Sequence, residues 1–171
     1  MSASRIDAEK ALAKAWQLSK DERFEEAVEL CDEVIAHHED CYDAYSERSC
    51  NLHSLGRVTE ALRDLEKLIE LRPSSPTAYF RRARWRIERG EYELALKDLY
   101  QVLEFKVEYF DESARFHLVI ALLNTQRGDD AKRESEMLSP GFKEFVSTPS
   151  TLGKTFSREE LILLAQQGGK I

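Results

Sequence analysis

The chain has 171 residues, 42% of them hydrophobic and 33% charged, with seven glycines, four prolines and a formal net charge of −7. This balance excludes a disordered or collagenous polymer, and the length excludes a multidomain enzyme. No apolar run reaches the roughly 18 residues of a membrane span, and the charged first turns lack the apolar stretch of an export signal, so a cytoplasmic protein is expected.

In chain order, the sequence repeats itself. FEEAVELCDEVI from Phe24, VTEALRDLEKLI from Val58 and YELALKDLYQVL from Tyr92 align, and Ala27, Ala61 and Ala95 stand 34 residues apart. Gly56 and Gly90 lie five residues before Ala61 and Ala95, with Glu22 in the equivalent place before Ala27. Apolar residues at helical spacing, such as Val58, Ala61, Leu62, Leu65, Leu68 and Ile69, predict two amphipathic helices per period, hence a helical hairpin. Ser75 followed by Pro76 predicts an N-cap with proline at the first helical position, and Asp40 predicts the opening of the helix that holds Tyr42 and Tyr45.

A degenerate fourth unit follows from about Glu112, with a break at Gly128 and a short helix around Ala131, which lies 36 residues after Ala95. Pro140 and Gly141 stop that helix, and the Ser-, Thr-, Pro- and Gly-rich stretch 139–155 reads as a linker. Ser157 with Glu160 is a capping box that opens a last helix ended by Gly168 and Gly169. Its run Leu161, Ile162, Leu163, Leu164 must bury, either on the last hairpin as a cap or in a ligand groove as a plug. No strand is expected.

At one period over three units, these positions resemble the tetratricopeptide repeat family. In its frame the repeats run 8–41, 42–75 and 76–109, with the degenerate unit at 112–138, the linker at 139–155 and a capping helix and tail at 156–171. The family's small residue is Ala15, Ser49 and Ala83; its aromatics fall on Tyr45, Tyr79, Phe24 and Tyr92, although Ala11 and Val58 replace two of them, and Pro73 is the one proline at the end of a repeat. The resemblance implies an all-α, right-handed superhelical solenoid whose first helices line a concave groove. It implies a non-catalytic adaptor or scaffold that holds a peptide or helix of another protein. The alternative is a dedicated client chaperone or inhibitor, similar to bacterial secretion chaperones in size and charge. The groove positions of the frame fall on Glu9, Leu12, Trp16 and Ser19, then Asp43, Ser46, Cys50 and His53, then Thr77, Phe80, Arg84 and Ile87, then Phe116 and Ile120, and Arg81 lies beside them.

Charge is unevenly placed. Residues 8–41 carry four basic and ten acidic side chains, whereas 76–90 carries five arginines against Glu88 alone. Arg81 and Arg84 are therefore candidates for steering a partner segment with acidic residues, and the other three are expected to form intramolecular pairs. One basic helix in an acidic chain is too little for nucleic acid. The clamp by which one subgroup of the family holds a heat-shock chaperone tail would fall on Leu12, Trp16, Glu47, Thr77 and Arg81; only Arg81 matches, and Glu47 would repel a carboxylate.

Cys31, Cys41 and Cys50 are an odd set without a disulfide framework, which fits a reducing compartment. With His37, His38 and His53 they lack metal-site spacing. The string Gly153-Lys154-Thr155 lacks the glycine of a phosphate loop, since Thr148 stands there. Four histidines spread over helical surfaces offer no acid–base pair, so no metal, cofactor or enzyme activity is expected.

Overall fold

The computed structural model describes residues 3–149 and 153–169, with the backbone alone over 3–6. Contacts divide the chain into residues 1–74 and 75–171. The first unit holds α1 (Ala3–Lys20), α2 (Phe24–His37), α3 (Tyr42–Ser54) and α4 (Val58–Leu71). The second holds α5 (Pro76–Glu88), α6 (Tyr92–Glu104), α7 (Glu108–Asn124), α8 (Gly128–Glu136), β1 (Lys143–Val146), β2 (Lys154–Ser157) and α9 (Arg158–Gln166). Among the described residues the fold is thus helical hairpins, α throughout but for two short strands.

One device closes each hairpin. Glu22, Gly56, Gly90 and Gln126 adopt φ of 58°, 73°, 76° and 62°. The amide after each one bonds back to a carbonyl of the preceding helix: Arg23 to Leu18 at 2.9 Å, Arg57 to Leu52 at 2.8 Å, Glu91 to Arg86 at 2.8 Å and Arg127 to Leu122 at 2.9 Å. This is the Schellman closure, which satisfies helix-end carbonyls and needs a left-handed residue. Glycine meets that need without strain, whereas Glu22 and Gln126 do not. Replacing Glu22 by Gly is expected to stabilise the chain by about 0.5–1 kcal/mol. Gly56→Ala should cost about 1 kcal/mol through backbone conformation alone, because nothing lies within 4 Å of an added Cβ there. Urea midpoints moving in those opposite directions check the closure; equal midpoints contradict it.

Small residues let the paired helices cross closely. Ala27, Ala61, Ala95 and Ala131 are all fully buried. Arginine–aspartate pairs then tie the first helix of a hairpin to its second, each pair spanning 16 residues. Arg48 reaches Asp64 at 2.9 and 2.6 Å, and, one period later, Arg82 reaches Asp98 at 2.9 and 2.7 Å. Arg86 adds a 2.6 Å bond to Asp98. A bidentate fork in a nearly dry setting fixes helix register more firmly than a surface pair does.

In the first unit, Ala15, Leu18, Ala27 and Cys31 form a buried cluster with Leu12 and Leu30 against it. In the second, the core gathers α5 to α9 and both strands, including Ile87, Leu99, Phe116, Leu118, Ile120, Val146, Phe156 and Leu161. Helix α7 is its axis: every residue from Phe116 to Leu123 is buried, because α5, α6, α8, α9 and β1 all pack on it.

The expectation of a strand-free linker is corrected, and two helix starts are refined. The stretch taken for a linker is an antiparallel hairpin, with Lys143 opposite Ser157 and Val146 opposite Lys154. Its alternation buries Val146 and Phe156, which gives four-residue strands a reason to form. Helix α3 is capped by Cys41, one residue later than Asp40. Ser75 is the N-cap of α5 with Pro76 inside the helix, but its side chain makes no capping bond. The capping box of α9 forms in full: Ser157 Oγ accepts from the Glu160 amide at 3.2 Å and the Glu160 carboxylate accepts from the Ser157 amide at 2.8 Å. Helix α9 packs on α8 and α7, burying Leu161 and Ala165.

Candidate functional site

On the first unit, Leu12, Trp16 and Ser19 lie at i, i+4 and i+7 of α1, and Ser46, Cys50 and His53 have the same spacing on α3, so each trio forms one stripe. Neighbouring α1 and α3 are joined by the Ser19 hydroxyl, which donates to Glu47 Oε1 at 2.5 Å. Asn51 Nδ2 bonds the Glu47 carbonyl at 2.8 Å and its carboxylate at 3.2 Å. Glu47 is thereby committed to the scaffold. Leu12, Ser46, Cys50 and His53 are half-buried. Trp16 is 53% exposed, with Lys20 Nζ 3.4 Å from its ring centroid, a cation–π contact that orients the indole without covering it.

On the second unit, Phe80 of α5 packs its ring 5.5 Å from Phe110 and 5.4 Å from His117 of α7. Arg81 lies over the buried Trp85 at 6.0 Å, Arg89 pairs with Glu91 at 2.6 Å, and Arg84 is exposed. Three expected groove residues lie elsewhere. Ile87, Phe116 and Ile120 are fully buried, Phe116 with its ring 5.8 Å from Phe142. The frame carried back from Ala131 places Phe116 in the groove, whereas the residue that faces Phe80 is its successor His117, turned by about 100° on the helix.

His117 also corrects the expectation of surface histidines, since it is only 2% exposed. Its Nδ1 lies 2.7 Å from the Ser113 carbonyl; a carbonyl only accepts, so Nδ1 carries the hydrogen. Burial pushes the imidazole down to about 4, which keeps it neutral near pH 7. Glu144 of β1 comes within 4.0 Å of it. Burial raises the Glu144 carboxyl, while the Ser113 hydroxyl and the nearby Arg84 pull it back. No sequence signal pointed to His117 or Glu144, because a strand 27 residues away in sequence brings them together.

Burial pushes the Cys31 thiol up to about 12, which makes it inert packing. Cys31, Cys41 and Cys50 are free thiols. Among the described residues no three His, Cys, Asp or Glu side chains gather to hold a metal ion, and no helix is long and apolar enough to cross a membrane. The surface offers contact chemistry, aromatic and basic.

Comparison with known proteins agrees with the hairpin architecture. A tetratricopeptide repeat model matches residues 47–106. Over 150 residues the chain is 29% identical to Hsp70-Hsp90 organizing protein 3 of Arabidopsis thaliana, covering 83% of this chain and 27% of that protein. A wheat (Triticum aestivum) Hsp70-Hsp90 organizing protein is 29% identical over 145 residues, covering 80% and 25%. The chain thus spans about a quarter of the length of these relatives. Among solved structures, a MamA protein superposes with a TM-score of 0.80 at 16% identity, over 95% of this chain and 82% of that one. YrrB, a TPR protein with an unusual peptide-binding site, gives 0.66 at 19% identity, over 79% and 72%.

Proposed function

Because the chain is a tetratricopeptide repeat protein, we propose that it is a non-catalytic interaction module that holds a peptide or helix of another protein, with the stripes of α1 and α3 on its first unit as the contact surface. The fold supports protein–protein interaction, and the proposal adds the contact surface. Trp16 carries it: an indole 53% exposed, on one stripe with Leu12 and Ser19, is the kind of aromatic anchor that dominates interface energies. Ser46, Cys50 and His53 extend that surface on α3. On the second unit, taken by itself, Arg81 and Arg84 of α5 suit acidic residues of a partner, by steering more than by raw affinity.

The organizing proteins are named for Hsp70 and Hsp90, which raises the chaperone tail again. The clamp positions here hold Leu12, Trp16, Glu47, Thr77 and Arg81, and Glu47 is bonded to Ser19 and Asn51. A carboxylate tail needs converging donors, so the proposed partner is a different protein segment, with an apolar residue for Trp16.

Affinity capture from cell extract with mass spectrometry tests this. A partner held by the unaltered chain should be retained about tenfold less or worse by Trp16→Ala and equally by Tyr100→Ala on α6, which is 40% exposed. Equal retention by the unaltered and Trp16→Ala chains would remove the anchor and the reading with it.

A further inference from the structure

The segment after α8 lies on the face of α5 and α7, and its side chains alternate. Glu144 is half-buried and Val146 and Thr148 buried, while Lys143, Phe145, Ser147 and Pro149 are exposed. The inward residues meet a receptor-like surface. Glu144 is bonded by the Ser113 hydroxyl and feels Arg84, and its carboxylate stands 4.0 Å from His117 Nδ1. Val146 joins the core cluster that Phe80 borders. A small cleft remains between Arg84, Glu88 and His117 on one side and Phe145, Val146 and Ser147 on the other. Pro149 reaches the end of α5, where its Cγ lies 3.6 Å from the point a Gly90 Cβ would occupy.

A hairpin whose task was only to cover apolar surface would be expected to set an apolar residue at 144. Taking a carboxylate out of water is costly unless a specific arrangement of donors receives it. The Ser113 hydroxyl is such a donor and the Arg84 charge lies nearby, and both residues lie on first helices of hairpins. Helix α9 has its own docking on α8 and α7 and its own capping box, although β2 runs directly into it through Ser157.

We propose that residues 143–149 are an internal ligand, and that an extended segment of like chemistry from a partner displaces them. That segment carries a carboxylate two residues before a β-branched apolar residue, with a small polar residue two further on, as in Glu144, Val146 and Thr148. The inference rests on the inner-face reading above, and it adds the partner's chemistry and a closed state. A tethered segment competes at an effective concentration on the order of millimolar, so the unaltered chain presents this face only to partners that outcompete it.

The test uses the full chain and a fluorescein-labelled peptide Lys-Glu-Phe-Val-Ser-Thr-Pro. Glu144→Lys sets a cation against Arg84 and loosens the tethered copy. The peptide should then bind at least about tenfold more tightly than it binds the unaltered chain, and the peptide with Lys in place of Glu should not. A Glu144→Lys chain with unchanged helical circular dichroism that gains no affinity for the peptide overturns the inference. Hydrogen exchange on the unaltered chain decides the matter if that variant does not fold. Strand amides from 144–146 and 154–157 should exchange at least about tenfold faster than those of α7; equal rates would make the hairpin inseparable from the core and overturn the inference. Trp16-dependent capture persisting alongside either negative result would leave the interaction reading standing.

Discussion

Replacing Phe116 with alanine is expected to destabilise the chain by about 3–5 kcal/mol. The ring is fully buried, stands 5.2 Å from His117 and 5.8 Å from Phe142, and belongs to a cluster drawn from α5 to α9 and both strands. Removing it deletes the apolar contacts and leaves a cavity that several packed elements cannot collapse into. A residue lining an open groove behaves otherwise, since its truncation leaves the folded core intact. The urea midpoint separates the two assignments: a large drop places Phe116 in the core, and an unchanged midpoint returns it to the ligand surface.

Asp98→Ala is expected to cost about 2–4 kcal/mol. Asp98 is 3% exposed and receives both Arg82 and Arg86, so its loss removes the carboxylate from two guanidiniums with side-chain exposures of 14% and 13%, although Arg86 keeps its bond to the Leu94 carbonyl. The cost stays below that of a fully buried charge because both arginines retain some water. Glu60→Ala is the control: its pair with Arg57 is close to half exposed on both sides, where water screens the attraction, so its loss should leave stability nearly unchanged. Thermal or urea unfolding of the two variants should rank them far apart. Equal effects would mean that the repeated fork does not hold the hairpins in register.

The hairpins were legible because their determinants recur locally. Ala27, Ala61 and Ala95 mark the crossings, and Glu22, Gly56 and Gly90 mark the left-handed turns at the same interval. The two-residue slip at Ala131 returns in the structure as the left-handed Gln126, 36 residues after Gly90. Ser157 and Glu160 announced α9 for the same reason, since a capping box is complete within four residues.

The rest depends on contacts between distant segments. Helix α7 is buried on all sides from Phe116 to Leu123, so the apolar periodicity that identifies a face is erased there, and Phe116 was assigned to the groove in place of His117. Strands of four residues leave too little alternation to read against the prolines, glycines and serines around them. His117 is neutral and buried only in the assembled unit, where Phe80 and Phe116 pack on its ring and Glu144 stands beside it. Trp16 falls on a groove position of the repeat frame, and its indole is 53% exposed beneath Lys20.

Hydrogen exchange of the full chain with and without its captured partner tests the central claim most directly, because it maps where the partner sits. The account predicts slower exchange on the first helices, α1 and α3 around Trp16 and Cys50, with α2, α4 and α6 unchanged. Slower exchange confined to α2, α4 or α6 would place the partner on the second helices and contradict the account.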